Sequence, residues 1–355
     1  MKVAIIILGN SWICPYVNTY KRIFEKLGYA YDVILWDRDG SDASAPIRFC
    51  SKGANLDNPL SKAVAYVRYS QFIKKSVQKN KYDRLIVSGP HLAILLSSFL
   101  RKKYKGRYII DYRDISIEQN PLLSGIYSKT LANSYCNVVS SQGFKKYLPQ
   151  EYKYFISHNF DVDAATVSLK SDYPTFKRNS TLQILTIGYI RNYCSNVKVI
   201  QSLGGNSNYC LKFSGRGDAD NSLREYALSH SFSNVEFTGF YDKKEEGTIV
   251  EKCDFINIFF PDDIKHSTIM SNRFYLALVY KKPMIVTAGS TQATLVRDFQ
   301  LGVVVEDCTN LDAEIRKFIS DFDYVSFCER CNELLALFVD EHCSLEHSIT
   351  TFMQA

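Results

Sequence analysis

The segment Thr-Leu-Gln-Ile-Leu-Thr-Ile-Gly-Tyr-Ile-Arg at residues 181–191 joins a short apolar run to a polar end that contains glycine. The run is shorter than a typical helix and is rich in the residue types of buried strands. Gly188 and Arg191 follow it directly. Because ligands of parallel sheets bind beyond the carboxyl ends of the strands, this segment predicts both the first strand of the C-terminal half and a binding loop.

Short apolar runs of the same kind alternate with amphipathic stretches on both sides of this segment. They lie at 2–8, 31–36, 83–88, 107–111 and 137–140 in the N-terminal half, and at 209–214, 234–238, 254–260, 283–287 and 302–306 in the C-terminal half. Strands that alternate with helices form parallel sheets with helices on both faces. The alternation stops in the polar stretch 161–180, which contains Pro174 and indicates a break between domains.

We therefore predict an α/β chain of two doubly wound, parallel-sheet (Rossmann-like) domains that face each other across a cleft. The predicted boundaries are 1–165 for the first domain, 166–180 for a linker, 181–322 for the second domain and 323–355 for C-terminal helices that pack back toward the first domain. A chain of 355 residues is long enough for each domain to bury its own core.

The composition favours a cytoplasmic protein. No apolar run approaches roughly 18 residues, the length that a membrane-spanning helix needs. The run at 2–8 is followed by no small-residue cleavage site, so we interpret it as a first strand and not as an export signal. The ten cysteines are scattered, mostly in apolar stretches, as expected for reduced core thiols. Cys328 and Cys331 lie in a stretch of helical periodicity, and we expect no metal there.

Charge is distributed unevenly along the chain. Residues 1–160 hold 24 Lys and Arg against 11 Asp and Glu, whereas the net charge of the whole chain is +6. The densest basic run follows the apolar stretch 92–100 and consists of Arg101, Lys102, Lys103 and Lys105. It is either the solvated end of a helix or a peripheral contact with an anionic membrane. Because no nucleic-acid-binding module accompanies the charge, we do not expect a nucleic acid partner.

Candidate binding residues lie at the predicted strand ends of the second half: Gly188, Arg191, Gly215, Gly217, Phe240, Tyr241, Ser271, Asn272 and Arg273. Arginine can hold phosphate oxygens with two parallel hydrogen bonds. The helix start at 271–273 offers free N–H groups to an anion, although Ser271 and Asn272 also suit a plain N-cap.

Six of these segments occur in a familiar order. They are Ile-Gly-Tyr-Ile-Arg at 187–191, Phe-Ser-Gly-Arg-Gly at 213–217, Asn-Val-Glu-Phe-Thr-Gly-Phe at 234–240, Ser-Asn-Arg-Phe-Tyr at 271–275, Lys-Pro-Met-Ile-Val at 282–286 and Leu-Gly-Val-Val-Val at 301–305. This series resembles bacterial glycosyltransferases of the GT-B fold, in particular those of capsular and other surface polysaccharide synthesis. The first half agrees more loosely, through 111–114, 141–148 and 158–159.

The resemblance implies a hexosyltransferase-like enzyme with a nucleotide-diphosphate sugar as donor. The base would lie near Phe240 and Tyr241, and the diphosphate would contact Arg191 and the helix start at 271–273. A glycan or lipid-linked acceptor would lie in the first half, against Gly9, Asn10, Ser11 and Arg113. No cofactor or metal is needed if the arginines neutralise the diphosphate.

Transfer requires a cation for the leaving diphosphate and, if the anomeric carbon is inverted, a base for the acceptor hydroxyl. We select Arg191 and Arg273 as candidates for the cation, and Asp114 as the base with Asp111 as the second choice. The structural alternative is that Asp111 caps its loop and Asp114 pairs with Arg113. We expect His158 to hold a loop and not to catalyse.

The second half departs from the pattern of many retaining relatives, which carry two glutamates eight positions apart. The corresponding residues here are Thr268 and Leu276. Retention or inversion therefore stays open. So do two other functions: a nucleotide-sugar epimerase of the same fold, and a non-catalytic partner subunit that binds nucleotide or glycan.

Overall fold

The computed structural model describes residues 1–51, 58–174 and 180–355. These residues form two compact units. Unit 1 consists of Met1–Asn159 together with Glu341–Ala355, and unit 2 consists of Phe160–Asp340. Among the described residues, no helix is both long and apolar enough to cross a lipid bilayer.

Unit 1 contains a parallel sheet flanked by helices. Its described strands are β1 (Lys2–Ile6), β2 (Ala30–Asp37), β3 (Ile47–Cys50), β4 (Arg84–Ser88), β5 (Tyr108–Tyr112), β6 (Cys136–Val139) and β7 (Tyr154–Ile156). They pair in the order β3-β2-β1-β4-β5-β6-β7. Its described helices are α1 (Val17–Leu27), α2 (Pro59–Asn80), α3 (Pro90–Leu95), α4 (Ser97–Lys103) and α5 (Pro121–Ala132).

Local sequence explains where several of these helices begin. Pro59, Pro90 and Pro121 each occupy the first helical position, where the missing N–H has no intrahelical partner to lose. Asn58 and Asn120 cap two of these helices through their side-chain oxygens. Because these helices follow strands, their first turns lie at the carboxyl edge of the sheet.

Unit 2 contains a second parallel sheet. Its described strands are β8 (Leu182–Ile187), β9 (Tyr209–Ser214), β10 (Val235–Gly239), β11 (Phe255–Ile258), β12 (Met284–Thr287) and β13 (Gly302–Val305), paired in the order β10-β9-β8-β11-β12-β13. Its described helices are α6 (Val162–Lys170), α7 (Tyr193–Leu203), α8 (Asp220–Ser229), α9 (Glu246–Glu251), α10 (Ile264–Thr268), α11 (Asn272–Val279), α12 (Thr291–Asp298) and α13 (Leu311–Ser320).

The last helix, α14 (Tyr324–Gln354), contributes to both cores. Its first part belongs to unit 2, where Phe327, Cys328 and Cys331 are fully buried. Its last part belongs to unit 1, where Ile349 and Phe352 are fully buried. Residues 341–355 of the predicted C-terminal segment 323–355 thus belong to unit 1, whereas the part of α14 before them belongs to unit 2.

The boundary between the units differs from the predicted linker at 166–180. Helix α6 occupies much of the polar stretch, and its Ala165 is fully buried in the core of unit 2. Asp161 caps this helix by accepting hydrogen bonds from two backbone N–H groups. A good cap and one apolar contact face thus allow a helix where overall polarity suggests a linker. Residues 175–179 of the predicted linker lie outside the described residues.

Candidate functional site

The loop after β8 forms the middle of the carboxyl edge in unit 2. Gly188 has a φ of +90°, which favours glycine, and a Cβ at this position would meet nothing within 4 Å. Arg191 is exposed, and its guanidinium lies 5.1 Å from the ring centroid of Tyr189, which is 57% exposed. The loop therefore presents a cation and an aromatic ring to solvent beside open space.

Arg273 lies beneath this loop and does not face solvent. Its guanidinium donates hydrogen bonds to the carbonyl oxygens of Ile187 (2.6 Å), Asn257 (3.2 Å) and Tyr189 (3.3 Å), and the residue is 7% exposed. The sequence predicts Arg273 as a direct contact of a diphosphate. In the structure its hydrogen bonds to the Ile187 and Tyr189 carbonyl oxygens hold the loop after β8 against helix α11, and its positive charge lies beneath that loop.

The charge of Arg191 acts on Arg273. Burial and, after it, the positive charge of Arg191 lower the pKa of Arg273 to about 10. Among the described residues, no carboxylate forms an ion pair with either arginine. Two like charges next to each other without an acidic partner are unfavourable, and an anion bound at this edge would relieve the repulsion.

The two glycines of the loop after β9 serve backbone packing. A Cβ on Gly215 would lie 1.9 Å from the carbonyl oxygen of Gly188, and one on Gly217 would lie 2.0 Å from that of Ile190. The Ile190 N–H donates to the Arg216 carbonyl oxygen at 3.1 Å. The sequence predicts Gly215 and Gly217 as ligand contacts, whereas the structure gives them a role in holding two loops together.

The residues predicted near a nucleotide base differ in exposure. Phe240 is 85% exposed, directly after β10. Tyr241 is half-buried and donates a hydrogen bond to Glu246 at 3.1 Å, and burial together with this carboxylate raises the pKa of Tyr241. Arg216 is not among the residues predicted from the sequence, yet its side chain is 60% exposed at this edge and pairs with Asp220 at 2.8 Å. Its position between two strand-end glycines was the available signal.

The start of helix α11 is capped from within the chain. The Ser271 hydroxyl accepts the backbone N–H of Arg273 at 3.3 Å, and the Ser271 N–H donates to the Gln292 side chain at 3.0 Å. Asn272 is exposed as the first helical residue. Thr268, one of the two positions that the resemblance compares with glutamate, is fully buried and bonded to backbone carbonyls. It cannot replace a carboxylate toward a ligand.

A cavity of about 700 Å³ opens at the opposite edge of the unit 2 sheet. Thr181, Asp254 and Pro283 line it, next to the amino ends of three strands. Pro174 and Ser180 also line this cavity, and residues 175–179 between them lie outside the described residues. We assign no ligand to it.

Asp111 and Arg113 form a buried ion pair at the carboxyl edge of unit 1. Arg113 Nε lies 2.7 Å from Asp111 Oδ1, and its terminal nitrogen donates to Oδ2 at 2.9 Å. Arg113 also donates to the Ser157 carbonyl and hydroxyl oxygens. Burial alone would lower the pKa of Arg113, but Asp111 raises it above its usual value.

This pair corrects the prediction of Asp111 as a base. Asp111 is fully buried and neutralised by Arg113, so it cannot reach an acceptor hydroxyl as the second-choice base. The structural alternative paired Asp114 with Arg113; the structure shows an ion pair of Arg113 with Asp111. Asp114 itself is exposed. It stays a predicted base.

The predicted acceptor segment after β1 is held by acidic side chains. Asn10 is buried and donates to Asp39 at 3.0 Å, and the Ser11 N–H donates to Asp42 at 2.5 Å. Although burial opposes it, hydrogen bonding from Ser11 lowers the pKa of Asp42 to about 2. Gly9 has a φ of +153° and lies close to Ile13. The segment thus has a fixed conformation at the carboxyl edge.

Sequence analysis missed a hydrogen-bonded chain of three side chains at the same edge. His91 Nδ1 lies 3.3 Å from the Ser116 hydroxyl, which donates to Glu118 Oε2 at 3.0 Å. Glu118 is buried and also accepts the Tyr112 hydroxyl at 2.6 Å. His91 follows the predicted strand 83–88, so the strand-end criterion could have found it.

Two other predicted groups lie elsewhere in unit 1. His158 contacts the Glu341 carboxylate of α14 at 2.5 Å. Burial lowers the pKa of His158, although Glu341 opposes this effect. In the basic run, Lys102, Lys103 and Lys105 are exposed at and beyond the end of α4, and Arg101 is half-buried.

No protein-family model and no curated protein matches this sequence. Solved structures match it over its whole length. One is sucrose-phosphate synthase from Thermosynechococcus elongatus, with a TM-score of 0.71 and 11% identity over 100% of this chain and 99% of that chain. The lipopolysaccharide outer core galactosyltransferase WaaB gives 0.67 and 12% over 99% of each chain. Anabaena HepE in complex with UDP and glucose gives 0.66 and 11% over 99% and 100%.

At this identity the similarity concerns the fold. Each match covers at least 99% of this chain and so extends over both units. The fold class that the sequence predicts is therefore confirmed. The chain is a two-domain α/β protein of the GT-B fold, built on two Rossmann-like parallel sheets.

Proposed function

We propose that this protein is a glycosyltransferase that moves a sugar from a nucleotide-diphosphate sugar to a glycan or lipid-linked acceptor in surface polysaccharide synthesis. Unit 2 would bind the donor and unit 1 the acceptor. The fold supports this proposal, because similar structures include a lipopolysaccharide galactosyltransferase and a protein solved with UDP and glucose.

The observation that carries the proposal is the pair Arg191 and Arg273. Arg191 is exposed beside Tyr189, and Arg273 adds its charge from beneath the same loop. The repulsion between them favours a ligand with at least one negative charge at this position. The exposed Phe240, on the strand end two positions away in the sheet, offers a ring for stacking a base. A diphosphate joined to a base satisfies both features.

The chemistry that these residues can supply is charge stabilisation. When the bond between the anomeric carbon and the diphosphate breaks, negative charge grows on the leaving oxygen. Arg191, exposed beside the Tyr189 ring, would contact that oxygen. Arg273 is fixed by three carbonyl groups and would keep the local potential positive throughout the reaction. We propose no metal for this step.

A thermal-shift panel of nucleotide sugars tests donor binding. At 100 times the dissociation constant, a ligand stabilises the folded state by about 2.7 kcal/mol. For a unit of this size we expect the Tm of unit 2 to rise by about 5–10 °C with a uridine or guanosine diphosphate sugar. Arg191→Ala should remove most of this rise, since the exposed cation that would contact the diphosphate is gone.

Arg297→Ala is the matched control, because Arg297 is an exposed arginine of unit 2 on α12. It should keep the full rise. No shift with any nucleotide sugar or diphosphate would contradict the proposal. Isomerisation of the donor without an acceptor would favour the epimerase instead. Donor binding without turnover would favour the partner subunit.

We also propose a peripheral contact with the inner face of an anionic membrane through Arg101, Lys102, Lys103 and Lys105. Each cation near such a surface contributes about 1 kcal/mol at most. Replacing all four by alanine should therefore weaken co-sedimentation with vesicles of phosphatidylglycerol and phosphatidylcholine at least tenfold. The effect should shrink with added salt, which screens charges.

A second quadruple variant controls for net charge. It replaces four exposed lysines of unit 2 by alanine: Lys243, Lys244, Lys252 and Lys265. This variant loses the same charge, so it should sediment like the wild type. Equal loss in both variants, or unchanged sedimentation of the first, would refute a contact through the end of α4.

A further inference from the structure

His91 occupies the centre of the carboxyl edge of the unit 1 sheet. It follows β4, which pairs with β1 on one side and with β5 on the other. The loop after β1 holds Gly9, Asn10 and Ser11, and the chain after β5 holds Asp114. His91, in the first turn of α3 directly after β4, therefore lies between the two segments that the sequence predicts to face the acceptor.

The hydrogen-bonded chain selects one tautomer of His91. The Ser116 hydroxyl has a single hydrogen, which it donates to the Glu118 carboxylate. Its oxygen can then only accept from His91 Nδ1, so Nδ1 carries the ring hydrogen. This leaves a lone pair on Nε2, and among the described residues no group bonds to Nε2. A neutral imidazole with one nitrogen held and the other free is the arrangement of a general base.

The surroundings keep the imidazole neutral and oriented. The ring is half-buried and lies 5.1 Å from the Tyr66 ring, centroid to centroid. Burial is the largest effect and lowers the pKa of His91 below its usual value. The positive charges of Lys62 and Arg38 lower this pKa further, whereas the negative charge of Glu118 raises it. At neutral pH the ring is therefore able to take up a proton.

We propose that His91 accepts the proton of the acceptor hydroxyl during sugar transfer, with Ser116 and Glu118 as positioning residues. The proton passes to Nε2 while the acceptor oxygen bonds to the anomeric carbon. The bond from that carbon to the diphosphate oxygen breaks, and the nucleoside diphosphate leaves with the electron pair. Direct displacement of this kind inverts the anomeric carbon. The inference rests on the proposed transferase function.

His91 fits this role better than the residues selected from the sequence. Asp111 is fully buried in its ion pair with Arg113. Asp114 is exposed to solvent, whereas His91 is half-buried and bonded to Ser116. A base that is partly desolvated and already held in one orientation needs little reorganisation when the proton is transferred, which lowers the barrier to reaction.

The test uses the full chain and the donor that gives the largest thermal shift. Transfer is followed as release of the nucleoside diphosphate, with a panel of octyl glycosides as acceptors. His91→Gln should lower kcat by about 100- to 10,000-fold, the usual contribution of a general base. It should keep the donor-induced rise in Tm, because that binding is a property of unit 2. His347→Gln, a change at an exposed histidine of unit 1, should retain wild-type activity.

The pH dependence separates a base from a structural histidine. The acidic limb of kcat/KM should move to lower pH in Glu118→Gln, since the carboxylate that raises the pKa of His91 loses its charge. It should move to higher pH in Lys62→Ala, since an exposed cation that lowers this pKa is removed. A merely structural role of His91 would move neither limb.

Several outcomes would overturn the assignment. One is a wild-type kcat in His91→Gln, above all if Asp114→Asn loses activity at the same time. Another is a product in which the anomeric configuration of the donor sugar is retained. Absence of turnover in the wild type despite donor binding would overturn both this inference and the transferase proposal. Absence of donor binding would count against the proposed function before His91 is tested.

Discussion

Asp111→Asn is expected to destabilise unit 1 by about 3–5 kcal/mol, the typical cost of removing one partner from a buried ion pair. The substitution keeps the shape of the side chain but leaves the Arg113 guanidinium with a positive charge and no carboxylate. Asp111 is fully buried and the Arg113 side chain is only 10% exposed, so water cannot replace the lost charge. Urea unfolding, monitored by far-UV circular dichroism, measures the change.

Two variants make this result specific. Lys26→Gln removes the more exposed partner of the surface pair with Glu346, and it should cost less than about 1 kcal/mol. The double variant Asp111→Leu with Arg113→Met removes both buried charges, so it should recover much of the lost stability. If Asp111→Asn instead unfolds like the wild type and only activity falls, Asp111 is a catalytic group and the structural role is wrong.

The architecture could be predicted because strand–helix alternation is a local pattern. Short apolar runs bounded by glycine or polar residues identify strands such as β8 and β4 with little ambiguity. The same rule identifies the carboxyl edges, and hence the loops that carry Arg191 and Asp114. The boundary at Phe160 was not predictable from the sequence. It depends on the packing of Ala165 into the core of unit 2, which is a tertiary contact that no local pattern indicates.

The direction of each side chain at those edges could not be predicted. Position after a strand does not distinguish Arg191, which faces solvent, from Arg273, which turns inward to three carbonyl oxygens. Nor does it reveal that Asp111 pairs with Arg113, two positions further along the chain. His91 depends on contacts with residues 25 and 27 positions away, which only the pairing of β4 with β5 brings together.

Gly217→Ala is expected to destabilise unit 2 by about 3–5 kcal/mol and to reduce donor binding with it. The new Cβ would lie 2.0 Å from the Ile190 carbonyl oxygen, more than 1 Å inside normal contact. Because the clashing atom belongs to the backbone, no side-chain rotation can relieve the overlap, and overpacking of this kind costs about 1–3 kcal/mol. Moving the loops apart would also break the Ile190–Arg216 and Ala219–Ile190 backbone hydrogen bonds, at about 1 kcal/mol each.

Gly125→Ala isolates the steric effect, because neither Gly125 nor Gly217 has a positive φ that would strain alanine by itself. A Cβ on Gly125 meets nothing within 4 Å, and in the middle of α5 alanine should stabilise by up to about 1 kcal/mol. Opposite signs for the two substitutions in calorimetry would show that the glycine after β9 is required by contact between loops. Equal, small changes in stability for the two substitutions would mean that the loops after β8 and β9 can separate at little cost. The packing of these loops would then not hold Arg191 in its position above Arg273.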